Sequence, residues 1–302
     1  MTRGLDDRPI LVALGGAFAI AFSGILFRLA HVSPSTGAFY RCLWAVPPLF
    51  LLAHLEDRRY GPRGRRVRGL AAIAGAFLAV DLVLWHRAID EVGAGLATVL
   101  GNLQVVLVGP IAWLLLRERL SRRALAAIPI ALVGVVFISG AVGSGAYGRN
   151  PGLGVAYGLL VCLAYTGFLL VLRQGSTDLR RAAGPLADAT AVAAVGSALL
   201  GLALGEFTAG TSWSAQGWLV LLALSSQVLG WLLISVSLPR LPAALTSVLL
   251  TFQPVLSVLF AGAILGEAPS ALQLLGVAFV LAGLLVASTG RRERVPEPAL
   301  AE

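Results

Sequence analysis

The sequence predicts an all-α integral membrane protein with ten transmembrane helices, arranged as two inverted repeats of five helices each. Three observations support this fold class. Hydrophobic residues make up 58% of the chain and charged residues only 13%. Ten apolar runs are each long enough to cross a bilayer. One segment occurs twice, 149 positions apart, with arginines around the first copy only.

Composition excludes several classes of protein. A soluble globular domain has about 25% charged residues, well above the share found here. All 23 basic residues are arginines, and the net charge is +8. They lie in short clusters between apolar runs, which is typical of topology signals and argues against a nucleic-acid partner. Cys42 and Cys162 both lie inside apolar runs, so neither a disulfide framework nor a metal site is predicted, and no cofactor is expected.

The ten predicted spans follow from bilayer thickness, because about 30 Å of hydrocarbon needs roughly 20 helical residues. The connections between them are short and carry proline, glycine or charge. The first run is too long for a cleaved signal peptide and contains Arg28 near its end, so it is predicted to be a retained helix. The spans are 10–30, 36–55, 69–89, 94–116, 124–142, 153–172, 185–206, 217–238, 243–265 and 270–289.

Arginine distribution predicts the orientation. If the N-terminus is inside, the inner segments hold 19 of the 23 arginines, and the outer connections hold only Arg149. The segment 56–68, with six arginines, is the main cytoplasmic anchor. Both termini are therefore expected in the cytoplasm, and the protein in the cytoplasmic (inner) membrane.

The repeated segment pairs Gln104 with Gln253 and Glu118 with Glu267, each at a separation of 149 residues. "AGLATVLGNLQ" (94–104) aligns without gaps to "AALTSVLLTFQ" (243–253).

The two halves are predicted at 1–145 and 150–302, with five spans each. Because five is odd, the second half must enter the membrane from the opposite side, as in many secondary transporters. The turn 117–123 contains four arginines and the corresponding turn 266–270 none, which is the asymmetry that inversion predicts.

Several segments resemble a known family. These are "FYRCLWA" (39–45), the small-residue-rich fourth span that ends near Glu118, and "QPVLSVLFAGAILGEAPSALQLLGVAFVLAG" (253–283). Together they are similar to the drug/metabolite transporter superfamily, specifically the EamA-type ten-helix family, over essentially the whole chain. The resemblance implies transport of small metabolites, amino acids or toxic compounds. Val105 stands where this family usually has proline, which predicts that span 4 is straighter than span 9.

Asp81 and Arg41 are the ionisable residues deepest in the predicted spans, at similar distances from the outer side. Ionisable groups at membrane depth are costly and usually face a cavity or a partner. Their matching depth predicts an ion pair. Asp81 would either bind protons or a substrate amine, or the pair would only hold spans 2 and 3 together.

Trp85 lies one helical turn from Asp81, so the two side chains share a face. It is either a stacking surface for a substrate or part of an interfacial aromatic belt. His86 follows, and a lone histidine near the interface is interpreted as solvated in preference to a proton switch.

Gln104 and Gln253 are candidates either for binding a zwitterionic substrate or for tying two helices together across the pseudo-two-fold axis. Pro254 removes a backbone hydrogen bond and predicts a kink in span 9. Further candidates for substrate contact are Asn102, Tyr165, Gln227 and Trp231. Glu118 and Glu267 lie at helix ends and are interpreted as gate or turn anchors.

The favoured function is a secondary transporter, with export the favoured direction, working by alternating access across the cytoplasmic membrane. No nucleotide-binding loop, paired acids or nucleophile motif is present, so neither ATP-driven transport nor an enzyme is predicted. A non-transporting membrane receptor or assembly protein is the alternative, and an integral membrane enzyme is less favoured. The expected partners are a small neutral, zwitterionic or amphipathic substrate, a proton as candidate coupling ion and the lipid bilayer, with a monomer or homodimer as the assembly.

Overall fold

A computed structural model describes residues 9–116, 122–175, 178, 180–237 and 243–288. Over this part of the chain every regular element is helical. The first half contains α1 (Pro9–Ala30, interrupted at Phe22), α2 (Pro34–Tyr60), α3 (Arg65–Val92), α4 (Ala94–Gly101 and Gln104–Leu116) and α5 (Arg122–Ile138). The second half contains α6 (Pro151–Gly175), α7 (Ala183–Ala203), α8 (Trp213–Ser237), α9 (Ala243–Leu265) and α10 (Ala271–Ser288).

Six of these helices, namely α1, α2, α3, α6, α7 and α8, are 21 to 28 residues long and apolar enough to cross a membrane. The other four contain shorter apolar helices over the described residues. Each helix lies close to a predicted span, because the apolar runs and their proline, glycine and arginine boundaries set its limits. Proline occupies the first turn of α1, α2 and α6, where its missing N–H leaves no bond unmade.

The prediction that span 4 is straighter than span 9 is wrong. α4 is interrupted at Asn102 and Leu103, whereas α9 is a continuous helix through Pro254. At the break the backbone bonds shorten to the i−3 pattern, with Leu103 N–H donating to the carbonyl of Leu100 at 3.0 Å. The Asn102 side chain also donates to the Thr98 carbonyl at 2.8 Å. Asparagine competes with the helical backbone in this way, which explains the break without a proline.

α8 changes its hydrogen-bond pattern in the middle. Residues Ala223–Gly230 form a π-helix between two α-helical segments. Such π segments are rare and are frequent at functional sites. This one contains Ser226 and Gln227, whose side chains are fully buried.

The helices pack in pairs that take one member from each half of the chain. These pairs are α1 with α8, α2 with α7, α3 with α6, α4 with α9, and α5 with α10. Exchanging the two halves, so that α1 takes the place of α6 and so on along the chain, converts the α1–α8 pair into the α3–α6 pair. The same exchange leaves the α2–α7, α4–α9 and α5–α10 pairs unchanged. This is the contact pattern that a pseudo-two-fold axis between the halves produces.

The crossing of α5 and α10 follows the 149-residue offset in detail. A Cβ atom on Gly134 would lie 2.5 Å from the carbonyl oxygen of Gly276, and one on Gly283 would lie 3.2 Å from that of Ala127. Gly134 and Gly283 are 149 positions apart, and so are Ala127 and Gly276. Small residues at these equivalent positions let the two backbones approach closely.

The helix bundle has two opposite faces, each named here after a glutamate that lies on it. The Glu267 face holds the connections between α1 and α2, α3 and α4, α5 and α6, α7 and α8, and α9 and α10. The Glu56 face holds the connections between α2 and α3 and between α6 and α7.

Candidate functional site

Arg41 of α2 is the cationic centre of a buried polar cluster, with only 4% of its surface exposed. Its guanidinium donates to Gln227 Oε1 at 3.0 Å, to Ser23 Oγ at 3.1 Å and to Ser226 Oγ at 3.4 Å. Gln227 in turn donates to Thr190 Oγ1 of α7 at 3.3 Å. Neutral oxygens from α1 and from the π-helical part of α8 therefore hold the charge of Arg41.

The predicted ion pair between Arg41 and Asp81 is wrong. Among the described residues no Arg41–Asp81 pair lies within salt-bridge distance, although the two charges interact electrostatically. Arg41 is drawn to α1 and α8 because their side chains supply three acceptors there. Asp81 is 5% exposed, and its Oδ1 atom has no hydrogen-bond partner among the residues that the structure describes. A buried carboxylate oxygen without a donor is costly and therefore marks a site where function is expected.

Aromatic side chains surround this cluster. The Arg41 guanidinium carbon lies 5.6 Å from the centre of the half-buried Trp85 ring, within range of a cation–π interaction. Tyr165 lies 6.0 Å from Trp231, and Phe168 lies 5.6 Å from both, measured between ring centres. Tyr165 also interacts electrostatically with Asp81. The structure thus brings six of the predicted site residues together: Asp81, Arg41, Trp85, Tyr165, Gln227 and Trp231.

The two repeat-related glutamines differ in their surroundings. Gln104 begins the second segment of α4 and interacts with Tyr165. Its buried Oε1 atom has no hydrogen-bond partner within the described ranges. Gln253 is half-buried on α9, and no hydrogen bond joins it to Gln104 in the described part of the chain. A hydroxyl pair joins α4 to α9 instead, with Ser257 donating to Thr98 at 3.0 Å.

Asn102 has a structural contact in the described chain, since its side chain bonds the backbone of its own helix at the α4 break. Pro254 is buried inside α9.

His86 is fully buried, so the interpretation of a solvated histidine is wrong. Its Nδ1 atom bonds the Pro34 carbonyl at 3.0 Å, and its ring stacks on Phe27 with the centres 3.8 Å apart. His86 therefore holds the start of α2.

Glu267 caps a helix that lies far away in the sequence. Its carboxylate accepts hydrogen bonds from the backbone N–H groups of Ala94 at 2.6 Å and Gly95 at 3.1 Å, at the start of α4. A carboxylate in this position satisfies donors that the first helical turn leaves free, and it complements the helix dipole. The repeat-related Glu118 lies outside the described residues.

A second pair of carboxylates joins α2 and α7 in a reciprocal way. Glu56, near the end of α2, accepts from the N–H groups of Ala183 at 2.9 Å and Gly184 at 2.8 Å, at the start of α7. Glu206, just after α7, accepts from the Ser35 hydroxyl at 2.5 Å, at the start of α2. Sequence reasoning missed both residues. The sequence signal that could have identified them is their position. Each acid lies near or just after the end of its helix, and α2 and α7 are equivalent helices of the two repeats.

The Glu267 face carries further polar contacts. Arg149 pairs with Glu91, and the pKa of Arg149 is raised because the Glu91 carboxylate accepts its hydrogen bonds. The side chain of Gln273 accepts from Tyr147 N–H at 2.7 Å and donates to the carbonyls of Tyr147 at 3.0 Å and Ile138 at 3.2 Å. These contacts fix the connection between α5 and α6 against α3 and α10. A polar cavity of about 540 Å³ opens here, lined by Arg28, Asp90, Glu91, Tyr147 and Arg149 among others.

No group of three or more histidine, cysteine or acidic side chains suited to a metal ion occurs in the part of the chain that the structure describes. Cys42 and Cys162 are both buried and free. The cluster combines a buried cation, a buried carboxylate and aromatic rings, which are the chemical groups needed to bind and orient a small polar molecule.

Comparisons with known proteins agree with this architecture. A family model described as the EamA-like transporter family matches residues 7–140 and again residues 152–289. No curated protein matches the chain significantly. A solved crystal structure, whose description gives no activity, is 17% identical, covers 95% of this chain and 99% of its own, and has a TM-score of 0.60. At that identity the likeness shows the fold alone.

The resemblance found in the sequence is therefore confirmed, and the two matched regions together cover most of the chain. Members of this family are generally transporters and not enzymes. Multiple apolar helices and the family match together make this a multi-pass membrane protein. The chain belongs to the EamA-like transporter family, within the drug/metabolite transporter superfamily.

Proposed function

We propose that this protein is a secondary transporter that exports small metabolites, amino acids or toxic compounds across the cytoplasmic membrane by alternating access. The observation that carries the proposal is the buried cluster around Arg41 and Asp81, in a chain that belongs to a transporter family. Its side chains come from α1, α2, α3, α7 and α8, and so from both halves of the chain. Substrate sites between repeats are the usual arrangement in secondary transporters.

The proposed topology has ten transmembrane helices in two inverted repeats, 1–145 and 150–302, with both termini in the cytoplasm. The pairing of helices across the two halves supports the pseudo-two-fold axis. The matched glycine contacts of α5 and α10 support it independently. In this orientation the Glu267 face is the outer face and the Glu56 face is cytoplasmic, in agreement with the arginines of segment 56–68.

The carboxylate contacts supply the gates in this proposal. Glu267 and Glu206 join helices of the two halves at the outer face, and Glu56 joins them at the cytoplasmic face. By the repeat symmetry, Glu118 is proposed as the fourth such residue. Opening one face requires that its carboxylates release the helix starts that they cap, while those of the other face stay in place.

Asp81, Arg41, Trp85, Gln104, Tyr165 and Trp231 are proposed as residues of the substrate and coupling site. Gln253 and Asn102 are proposed as more distant members on α9 and α4. Arg41 acts mainly by holding α1, α2 and α8 together. A proton bound at Asp81 is the proposed coupling ion, and the transporter functions as a monomer or homodimer.

Counterflow in proteoliposomes tests the proposal. The purified chain is reconstituted with a panel of unlabelled amino acids and cationic compounds inside, and entry of the labelled compound is followed. We expect at least one compound to show counterflow that Asp81→Asn abolishes, while Asp178→Asn, on the connection between α6 and α7, keeps it. An absence of flux for the whole panel, together with specific capture of a partner protein, would contradict transport and favour a receptor.

A further inference from the structure

The central cluster has hydrogen-bond acceptors without donors, and we propose that it selects a protonated amine carried on an aromatic body, the chemical class of arylalkylamines. This proposal rests on the proposed function and specifies its substrate class. It follows from the donors and acceptors that remain free around Asp81, and from the rings beside them.

Three of the five N–H donors of Arg41 are already engaged. Its three guanidinium nitrogens each donate to a side chain, namely Gln227, Ser23 and Ser226. One face of the guanidinium lies over Trp85. A substrate carboxylate would have only the two remaining N–H groups to bind, beside three neutral side chains and a ring that already surround the cation. Arg41 is therefore a weaker receptor for an acid than a free guanidinium.

The unpartnered atoms of the cluster are acceptors. Among the described residues, Asp81 Oδ1 and Gln104 Oε1 are both buried and have no hydrogen-bond partner. Both side chains interact with Tyr165 of α6, Asp81 through its charge and Gln104 through a hydrogen bond. Asp81 on α3 and Gln104 on α4 are therefore both neighbours of Tyr165. An acceptor needs a donor, and an ammonium group supplies three N–H donors and no acceptor.

The charge of Asp81 also favours an amine over an acid. Burying an ammonium beside Asp81 converts a lone buried carboxylate into a charge-assisted hydrogen bond, which is about twice as strong as a neutral one. A carboxylate at the same position would meet the negative charge of Asp81. A zwitterion brings both groups and would bind with intermediate strength.

The rings determine the body of the ligand. Tyr165, Phe168 and Trp231 form a contiguous aromatic group, with ring centres 5.6 to 6.0 Å apart. They belong to the same hydrophobic cluster as Leu78 and Leu82, which flank Asp81 on α3. Tyr165 and Trp231 are half-buried, so parts of both rings remain available for contact. Aromatic pairs favour these separations and offset or edge-on geometries. An aryl group that enters beside them would place its amine, one or two carbons away, toward Asp81.

Equilibrium binding to the full chain in lipid nanodiscs tests the proposal with three labelled compounds of equal ring size. Phenethylamine carries the amine alone, phenylalanine carries both charges, and 3-phenylpropionate carries the carboxylate alone. We expect affinity to fall in that order, with at least a tenfold gap between the first and the last. Asp81→Asn should weaken phenethylamine binding at least tenfold, because the charge is lost at constant shape. Gln104→Leu should weaken it by a smaller factor.

Asp90→Asn is the matched control, because Asp90 lies on the same helix but pairs with Arg28 at the Glu267 face. It should change phenethylamine affinity less than about twofold. Equal affinity for the three compounds, preference for 3-phenylpropionate, or unchanged phenethylamine binding in a folded Asp81→Asn protein would overturn the proposal.

The same compounds separate this proposal from the transport function. Phenethylamine binding that depends on Asp81 supports the amine site whether or not flux is seen in liposomes. Counterflow of phenylalanine or 3-phenylpropionate without phenethylamine binding would uphold transport and overturn the amine site.

Discussion

The carboxylate of Glu267 accepts the backbone N–H of Ala94 at 2.6 Å, which joins the end of α9 to the start of α4 across 173 residues of sequence. The contact is tight because Gly93 precedes it with φ of +89°, and a Cβ atom there would lie 2.7 Å from the carboxylate. Glycine thus permits both the turn and the approach of the acid. One carboxylate closes the two repeats against each other at this face.

Replacing Glu267 by glutamine should loosen the start of α4. The amide keeps one acceptor oxygen and loses the charge, so one N–H group is left without a partner. We expect a loss of about 1 kcal/mol, the usual value of an N-terminal cap, and faster hydrogen exchange at Ala94 and Gly95. Hydrogen exchange followed by mass spectrometry measures this directly.

Asp178→Asn serves as the control for the Glu267 variant, because Asp178 is an acid of the opposite face that pairs with Arg180. Exchange at Ala94 and Gly95 should not change in that protein. Equal exchange in Glu267→Gln and the parent protein would show that the cap does not hold α4.

Gly93→Ala should destabilise the protein more than Gly61→Ala. Both glycines have φ near +85° to +89°, but the Cβ of Gly61 would meet nothing within 4 Å. Both glycines have ψ near +165°, a backbone region open essentially only to glycine, so alanine costs roughly 1–3 kcal/mol at either position. At Gly93 the added methyl group also displaces Glu267. The difference between the two apparent melting temperatures in detergent isolates the Glu267 contact, and equal losses would contradict it.

Gly134→Ala should weaken the crossing of α5 and α10. The new methyl carbon would lie 2.5 Å from the Gly276 carbonyl oxygen, so the helices must separate. Overpacking of this kind costs about 1–3 kcal/mol. Gly217→Ala is the control, because that helical position has open space and should gain up to about 1 kcal/mol. Thermal unfolding should show a loss of stability for Gly134→Ala and a gain for Gly217→Ala. A stabilised Gly134→Ala protein would contradict the close packing.

Gln227→Leu should leave Arg41 with a buried N–H group that lacks an acceptor. A hydrogen bond to a charged group is worth about 1.5–3 kcal/mol, so we expect destabilisation of that size. Gln216→Leu is the matched control. Gln216 lies on α8 like Gln227, but it only accepts an exposed hydrogen bond from Trp44 of α2. Thermal unfolding should separate the two, and equal stability of both variants would show that Gln227 does not hold Arg41.

The helices could be predicted from the sequence because bilayer thickness and apolar run length set them directly. The span predicted at 94–116, for example, corresponds to helical segments Ala94–Gly101 and Gln104–Leu116. The break between these segments was not predictable from proline content. The break arises from Asn102, whose side chain bonds the backbone of its own helix. That hydrogen bond is visible only in the three-dimensional structure.

The contacts within the site could be predicted only in part. Depth in the spans correctly identified Arg41 and Asp81 as buried, but depth does not determine which neighbour a side chain selects. Arg41 turns to Ser226 and Gln227 because a π-helical segment rotates them inward. Neither hydropathy nor repeat spacing carries a signal for that segment.

If the two faces open in turn, distances between paired spin labels should change in opposite directions at the two faces. Labels at Ser144 and Gly210 report the Glu267 face, and labels at Gly64 and Arg122 report the Glu56 face. In the double variant Glu206→Gln, Glu267→Gln, we expect a longer distance at the Glu267 face and a shorter one at the Glu56 face. A change at the Glu267 face alone, or none at either face, would contradict alternating access through these carboxylates.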